Sequence, residues 1–124
     1  MQNYNSKFKN QDIKTRTYQF SLSTLKFLEQ LPKNYIYQTI GKQLLRSSTS
    51  IGANIIEAQA GSSKRDFTNF ISHSLKSANE TIYWLNLLQD SIKSKSSHLN
   101  ILIKECNEIA KILGASMLRL KNRK

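Results

Sequence analysis

Apolar residues recur three and four positions apart along almost the whole chain, and the breaks in that rhythm divide it into four segments. Ile13, Phe20, Leu25, Leu28 and Leu31 mark a first helix over about Gln11 to Leu31, which Pro32 stops. A second helix is predicted from Asn34 to Ala60, with Asn34 as its N-cap, Ile36, Ile40, Leu44, Ile51 and Ile55 as its core line, and Gly61 in the C-cap position. "SKRD" at Ser63 to Asp66 reads as a capping box, the serine taking an orphan amide while Asp66 reaches back. The third helix that starts there carries Phe67, Phe70, Ile71, Leu75, Ala78, Ile82, Leu85 and Leu88 to about Ile92. Beyond the Ser- and Lys-rich "SIKSKSS", a fourth runs from about Ser97 to the end, with Leu99, Leu102, Cys106, Ile109, Leu113, Met117 and Leu120 forming a seam. No segment keeps a period of two between turn signals, so no strand is expected. Four amphipathic helices with short connections predict an all-α fold, an antiparallel up-down-up-down four-helix bundle over residues 11–124, behind a flexible basic arm at residues 1–10.

One feature does not fit a simple core line. Arg46, Ser50, Asn54 and Glu57 fall within roughly 80° of one another around the second helix, a polar stripe beside the isoleucines. Glu80 is a matching oddity on the third helix, with apolar residues on either side of it. An Arg and one or two Glu on facing helices can neutralise one another inside a bundle and disfavour shifted registers. The stripe is therefore expected to be a structural polar network of Arg46, Ser50, Asn54, Glu57 and Glu80. On that reading, removing Glu80 strands Arg46 in the core and costs about 3–5 kcal/mol.

Composition adds charge to this picture. The 124 residues hold 19 Lys and Arg against 8 Asp and Glu, a net charge of +11, with 39% hydrophobic residues, one Pro and four Gly. An excess of this size points to a polyanionic partner, nucleic acid before an anionic membrane surface. The opening "MQNYNSKFKN" lacks the apolar stretch of a secretory signal, no run of eighteen apolar residues occurs, and a single cysteine fits a reducing compartment. These features predict a cytoplasmic protein without a membrane partner.

Catalytic and metal chemistry find little support. A di-iron bundle needs two Glu-x-x-His pairs on inward faces, and the chain has none. His73 and His98 lie in different helices with no acidic residue at ligand spacing, and Cys106 occupies an apolar seam. "GKQL" and "GSSKRD" lack the glycine spacing and Lys-Ser/Thr of a phosphate loop. The expectation is a non-enzymatic protein with no cofactor and no metal. Lys7, Lys9, Lys14 and Arg16 near one terminus and Arg119, Lys121, Arg123 and Lys124 near the other come together at one end of an up-down-up-down bundle. That end is the candidate phosphate-binding patch. Gly41, Leu45, Gly52 and Ile56 form a further face of the second helix, which suggests a subunit contact.

The stretch "LLRSSTSIGANIIEAQAGSSKRDFTNFISHSLKSANETIYWL" resembles a family of small bacterial four-helix-bundle proteins encoded in intervening sequences of large-subunit ribosomal RNA genes. The family pattern has an Arg, a Ser-Ile, an Asn-Ile-x-Glu-Gly, a Lys-x-Phe and a Ser-x-x-Glu. Arg46, Ser50 and Ile51, Asn54 and Ile55 and Glu57, Arg65 and Phe67, and Ser77 and Glu80 look like those positions. Gly52 stands where the family commonly has Pro, and Ala58 replaces the Gly after the Glu. Relatives include the accessory variability determinant of diversity-generating retroelements, a ring-forming basic bundle. The resemblance implies a homo-oligomer, a pentameric ring, that binds RNA or DNA and takes a protein partner such as a reverse transcriptase. It does not imply a true ribosome component. The functional expectation is an oligomeric nucleic-acid scaffold or accessory protein, with a protein adaptor whose charge only steers encounter as the alternative.

Overall fold

The computed structural model describes residues 12–92 and 96–122. It contains four helices: α1, Ile13–Leu28; α2, Tyr35–Ala60; α3, Lys64–Ser91; and α4, Ser97–Asn122. No strand occurs among the described residues. The arm expected at residues 1–10 lies outside them.

Each helix begins where a short polar side chain can take an amide that has no partner in the first turn. Asp12 accepts from the Thr15 amide at 2.7 Å, and this bond is the main reason its carboxyl is held below the usual aspartate range. Asn34 accepts from the Tyr37 amide at 3.0 Å and Ser63 from the Asp66 amide at 3.1 Å. Ser96 does the same for Leu99 at 3.1 Å. In the box at the start of α3, the Asp66 carboxylate accepts from the Ser62 hydroxyl at 3.3 Å.

The helix ends follow from steric facts. α1 stops at Leu28, earlier than the apolar rhythm predicts; Gln30 and Leu31 wind on in tighter turns, donating to the Phe27 and Leu28 carbonyls, because the residue before Pro32 is pushed out of helical conformation. Leu31 still reaches the core. Gly61 caps α2 in an extended conformation, φ −65° and ψ 147°, so it is not there for a left-handed turn. Its value is space, since a Cβ would lie 3.2 Å from both the Ala58 carbonyl oxygen and the Asp66 Cβ.

Cross-helix contacts fix the topology. Leu31 lies against Gly41 and Thr17 against Gly52, so α1 and α2 are antiparallel. Tyr37 donates to the Ser91 carbonyl at 3.3 Å and Ser74 to the Ile51 carbonyl at 2.8 Å, which sets α3 against α2. Gln89 bonds Asn100, and the Cys106 thiol points to the Ala78 carbonyl at 3.4 Å, which sets α4 against α3. The Phe27 ring meets His98 edge-on while Arg16 meets Glu105, so α4 also closes on α1. The result is an up-down-up-down bundle closed into a square.

Phe20, Leu44, Ile51, Ile55, Leu85, Leu102, Ile109 and Leu113 fill its centre, each 1% exposed or less. Burial of side chains this size stabilises by about 1.5–3 kcal/mol apiece. Small polar residues bring the helix axes together between these layers. Thr17, Thr24, Ser47, Ser48, Ser74 and Thr81 are all fully buried, and each hydroxyl bonds a carbonyl, mostly of its own helix. Thr81 also donates to the Ser47 hydroxyl at 2.9 Å across the α2/α3 seam.

Candidate nucleic-acid interface

The start of α1, the end of α2, the start of α3 and the end of α4 share one end of the bundle. Ile13, Ile55, Phe67, Ile71, Leu113, Arg119 and Leu120 all line a single hollow there. Charge at this end comes from several elements. Lys14 is exposed on α1; Arg119 and Lys121 are exposed in the last turns of α4. The Arg119 guanidinium donates to the Ser116 hydroxyl at 3.2 Å, which holds it along its own helix. Lys7, Lys9, Arg123 and Lys124, expected in the same patch, lie outside the described residues.

Arg16 does not belong to this patch. Its side chain turns inward, 7% exposed, where Nε lies 2.7 Å from Glu105 Oε2 and Nη2 lies 2.8 Å from Oε1. The bidentate bond to Glu105 raises the guanidinium above its already high basicity, so it is permanently charged and already neutralised. Such a group has no charge to offer a phosphate. Lys64 and Arg65, not among the patch residues expected from the sequence, are exposed in the first turn of α3, next to Phe67 of the shared hollow. Their signal was the α2/α3 turn itself, which an up-down topology places at the same end as the termini. Asp12 and Asp66 offset part of the charge.

The polar stripe exists but faces solvent. Arg46 does pair with Glu80, and Glu80 also accepts from the Trp84 indole at 3.1 Å. The Arg46 and Glu80 side chains are 57% and 37% exposed, however. Ser50 donates to the Arg46 carbonyl at 2.7 Å and Asn54 to the Ser50 carbonyl at 2.8 Å, both within α2. Glu57 is exposed. The core line of α2 is Leu44, Ile51, Ile55 and Ala58, and the stripe lies around the helix from it, on the outer edge toward α3. The structural network expected in the core is thus a surface ladder. Glu80→Ala is accordingly expected to cost less than about 1 kcal/mol, measured by urea unfolding, because the stranded guanidinium keeps its water.

One further expectation changes, that of the glycine-containing face of α2. Gly41 and Gly52 serve α1 rather than a second subunit: added Cβ atoms would lie 3.1 Å from Leu31 Cδ1 and 3.2 Å from Thr17 Oγ1. Leu45 and Ile56 on the same face are 39% and 45% exposed. His73 sits on the surface of α3 beside Phe70, whereas His98 Nε2 lies 3.1 Å from the Ser23 hydroxyl. Cys106 is buried, and desolvation pushes its thiol far up, which keeps it in the unreactive neutral form. Among the described residues no group of three or more His, Cys, Asp or Glu could hold a metal ion, and no helix is long and apolar enough to cross a membrane.

A family model described as 23S rRNA-intervening sequence protein matches residues 9–115. The solved structures include a crystal structure of a protein of unknown function from the S23 ribosomal protein family of Bacteroides thetaiotaomicron VPI-5482. That protein is 33% identical, with a TM-score of 0.77 over 86% of this chain and 98% of its own. No curated protein matches the chain significantly.

Proposed function

The chain belongs to the 23S rRNA-intervening sequence protein family, and from that premise we propose that it is a non-enzymatic cytoplasmic scaffold that binds RNA or DNA through phosphate contacts. The observation that carries this reading is the net charge of +11, with Lys14, Lys64, Arg65, Arg119 and Lys121 exposed at one end of the bundle. Lysines and arginines on helix ends meet phosphates without reading base edges, so affinity comes with little sequence preference. Self-assembly, a ring of five in the reading drawn from the resemblance, multiplies such contacts into avidity. A polymerase such as a reverse transcriptase is a partner of the kind a scaffold holding nucleic acid would serve.

Fluorescence anisotropy of a labelled structured RNA and a labelled single-stranded DNA, titrated from low to physiological salt, tests the proposal. Binding is expected to fall log-linearly with salt, losing about 10³-fold between 50 and 200 mM for six phosphate contacts. Arg119→Glu combined with Lys121→Glu is expected to lower the salt slope by about 1.4–1.8 units, two contacts' worth. No binding at low salt, or a slope untouched by that double variant, overturns the reading.

A further inference from the structure

Phosphate contacts alone leave the hollow at the basic end unused. Phe67, Ile71, Ile112 and Leu120 wall it, and Ser116 and Arg119 add polar groups from α4. Phe67, Ile112, Ser116 and Leu120 are half-buried, so the walls are reached from outside. The hollow measures about 240 Å³, below the roughly 300–1,000 Å³ of pockets for drug-sized ligands. That is room for one flat ring rather than a whole nucleotide.

We propose, on the phosphate-binding reading above, that this hollow takes a single unpaired nucleobase, so that the protein prefers nucleic acid with a bulged or unstacked base over a fully paired duplex. Two demands select that occupant. The walls are apolar and include an aromatic ring, and an unstacked base is the flat apolar face that a nucleic acid can offer them. Cations accompany the walls along the chain: Arg119 is itself a wall residue, Lys121 follows Leu120, and Lys64 and Arg65 lie within three residues before Phe67. Those side chains answer the phosphates on either side of an extruded nucleotide. The carboxylates at this end serve their own helix starts. Asp12 accepts from the Thr15 amide and Asp66 from the Ser62 hydroxyl, and neither lines the hollow. An aliphatic side chain from a second copy fills the volume but answers none of the cations, and it brings a further net charge of +11 with it. A paired base has its faces covered by its neighbours in the stack and cannot enter.

The test uses the full chain and three labelled hairpins, each made as RNA and as DNA: one fully paired, one with a single unpaired adenine, and one with an abasic residue in the adenine's place. The last two carry the same phosphates and differ only in the base. Anisotropy is expected to show the adenine bulge binding about tenfold tighter than either of the others, the size of one base stacked on an aromatic side chain. Ile112→Trp and Leu120→Trp each fill the hollow without changing charge. Both are expected to erase the tenfold preference and to keep the wild-type salt slope on the fully paired hairpin, with circular dichroism checking that each folds. Equal affinity for the adenine and abasic bulges, with salt-dependent binding intact, overturns the base site and leaves the phosphate contacts standing. A preference that survives in both filled variants also overturns it. Absence of binding to every hairpin at low salt removes the base site and the phosphate contacts together. An oligomer that both filled variants dissociate, with no preference for the bulge, puts a second copy in the hollow instead.

Discussion

Glu105→Ala is expected to destabilise the protein by about 3–5 kcal/mol, the cost of leaving one member of a buried ion pair unpartnered. Glu105 is fully buried and Arg16 nearly so, and the fork of Nε and Nη2 meets the two carboxylate oxygens at 2.7 and 2.8 Å. With the carboxylate gone, the guanidinium keeps its charge at any accessible pH, because the free group is already strongly basic. It must then find water through a packed α1/α4 seam. Replacing both partners, Arg16→Leu with Glu105→Leu, removes the stranded charge and is expected to be neutral or stabilising relative to wild type. Urea unfolding of the two variants beside wild type decides the matter. A loss under about 1 kcal/mol in the single variant, the size typical of exposed pairs, shows that Arg16 reaches solvent when released.

Phe20→Ala is the second large effect, on the order of 3–5 kcal/mol. Phe20 is the largest of the fully buried side chains, 0% exposed, in a core to which all four helices contribute. Truncation removes the ring's transfer free energy and leaves a void that rigid helices cannot collapse into. For a chain of this size the melting temperature is expected to fall by roughly 15 °C, read by thermal circular dichroism. Phe20→Leu keeps most of the volume and is expected to lose much less. Near-equal losses for the two substitutions indicate that the helices close over the void.

The contrast between Glu105 and Glu80 shows what was readable in the sequence. Caps were legible because they are local: Asn34, Ser63 and Pro32 act on amides and dihedrals within a few residues. The helix count, and with it the antiparallel order, followed from the same punctuation. Which polar residue faces inward was a different question. Glu80 has apolar neighbours, yet it lies to one side of the true α3 line of Ile71, Ala78, Leu85 and Leu88. Glu105 lies three residues after Leu102 and four before Ile109, on the seam itself, and Arg16 falls four before Phe20. That spacing was available, but a cluster of basic residues near the N-terminus hid it, since net charge invites every lysine and arginine to be counted as surface. In the candidate patch the exposed members are readable from composition, whereas the loss of Arg16 to the core needs its partner, 89 residues away.

That separation bears on how the chain assembles. Among the described residues, three of the four main helix contacts join sequence neighbours and form as hairpins, while the last joins α1 to α4. Loop closure costs entropy that grows slowly with the length enclosed, so the first helix is the natural latecomer. The Arg16–Glu105 pair then works as a latch: it rewards the final closure only when α1 arrives in register, and an α1 shifted by one residue turns Arg16 about 100° away and leaves Glu105 buried and unmatched. Peeling α1 away frees both charges in a single movement, so opening of the bundle at this seam and loss of the pair are one event.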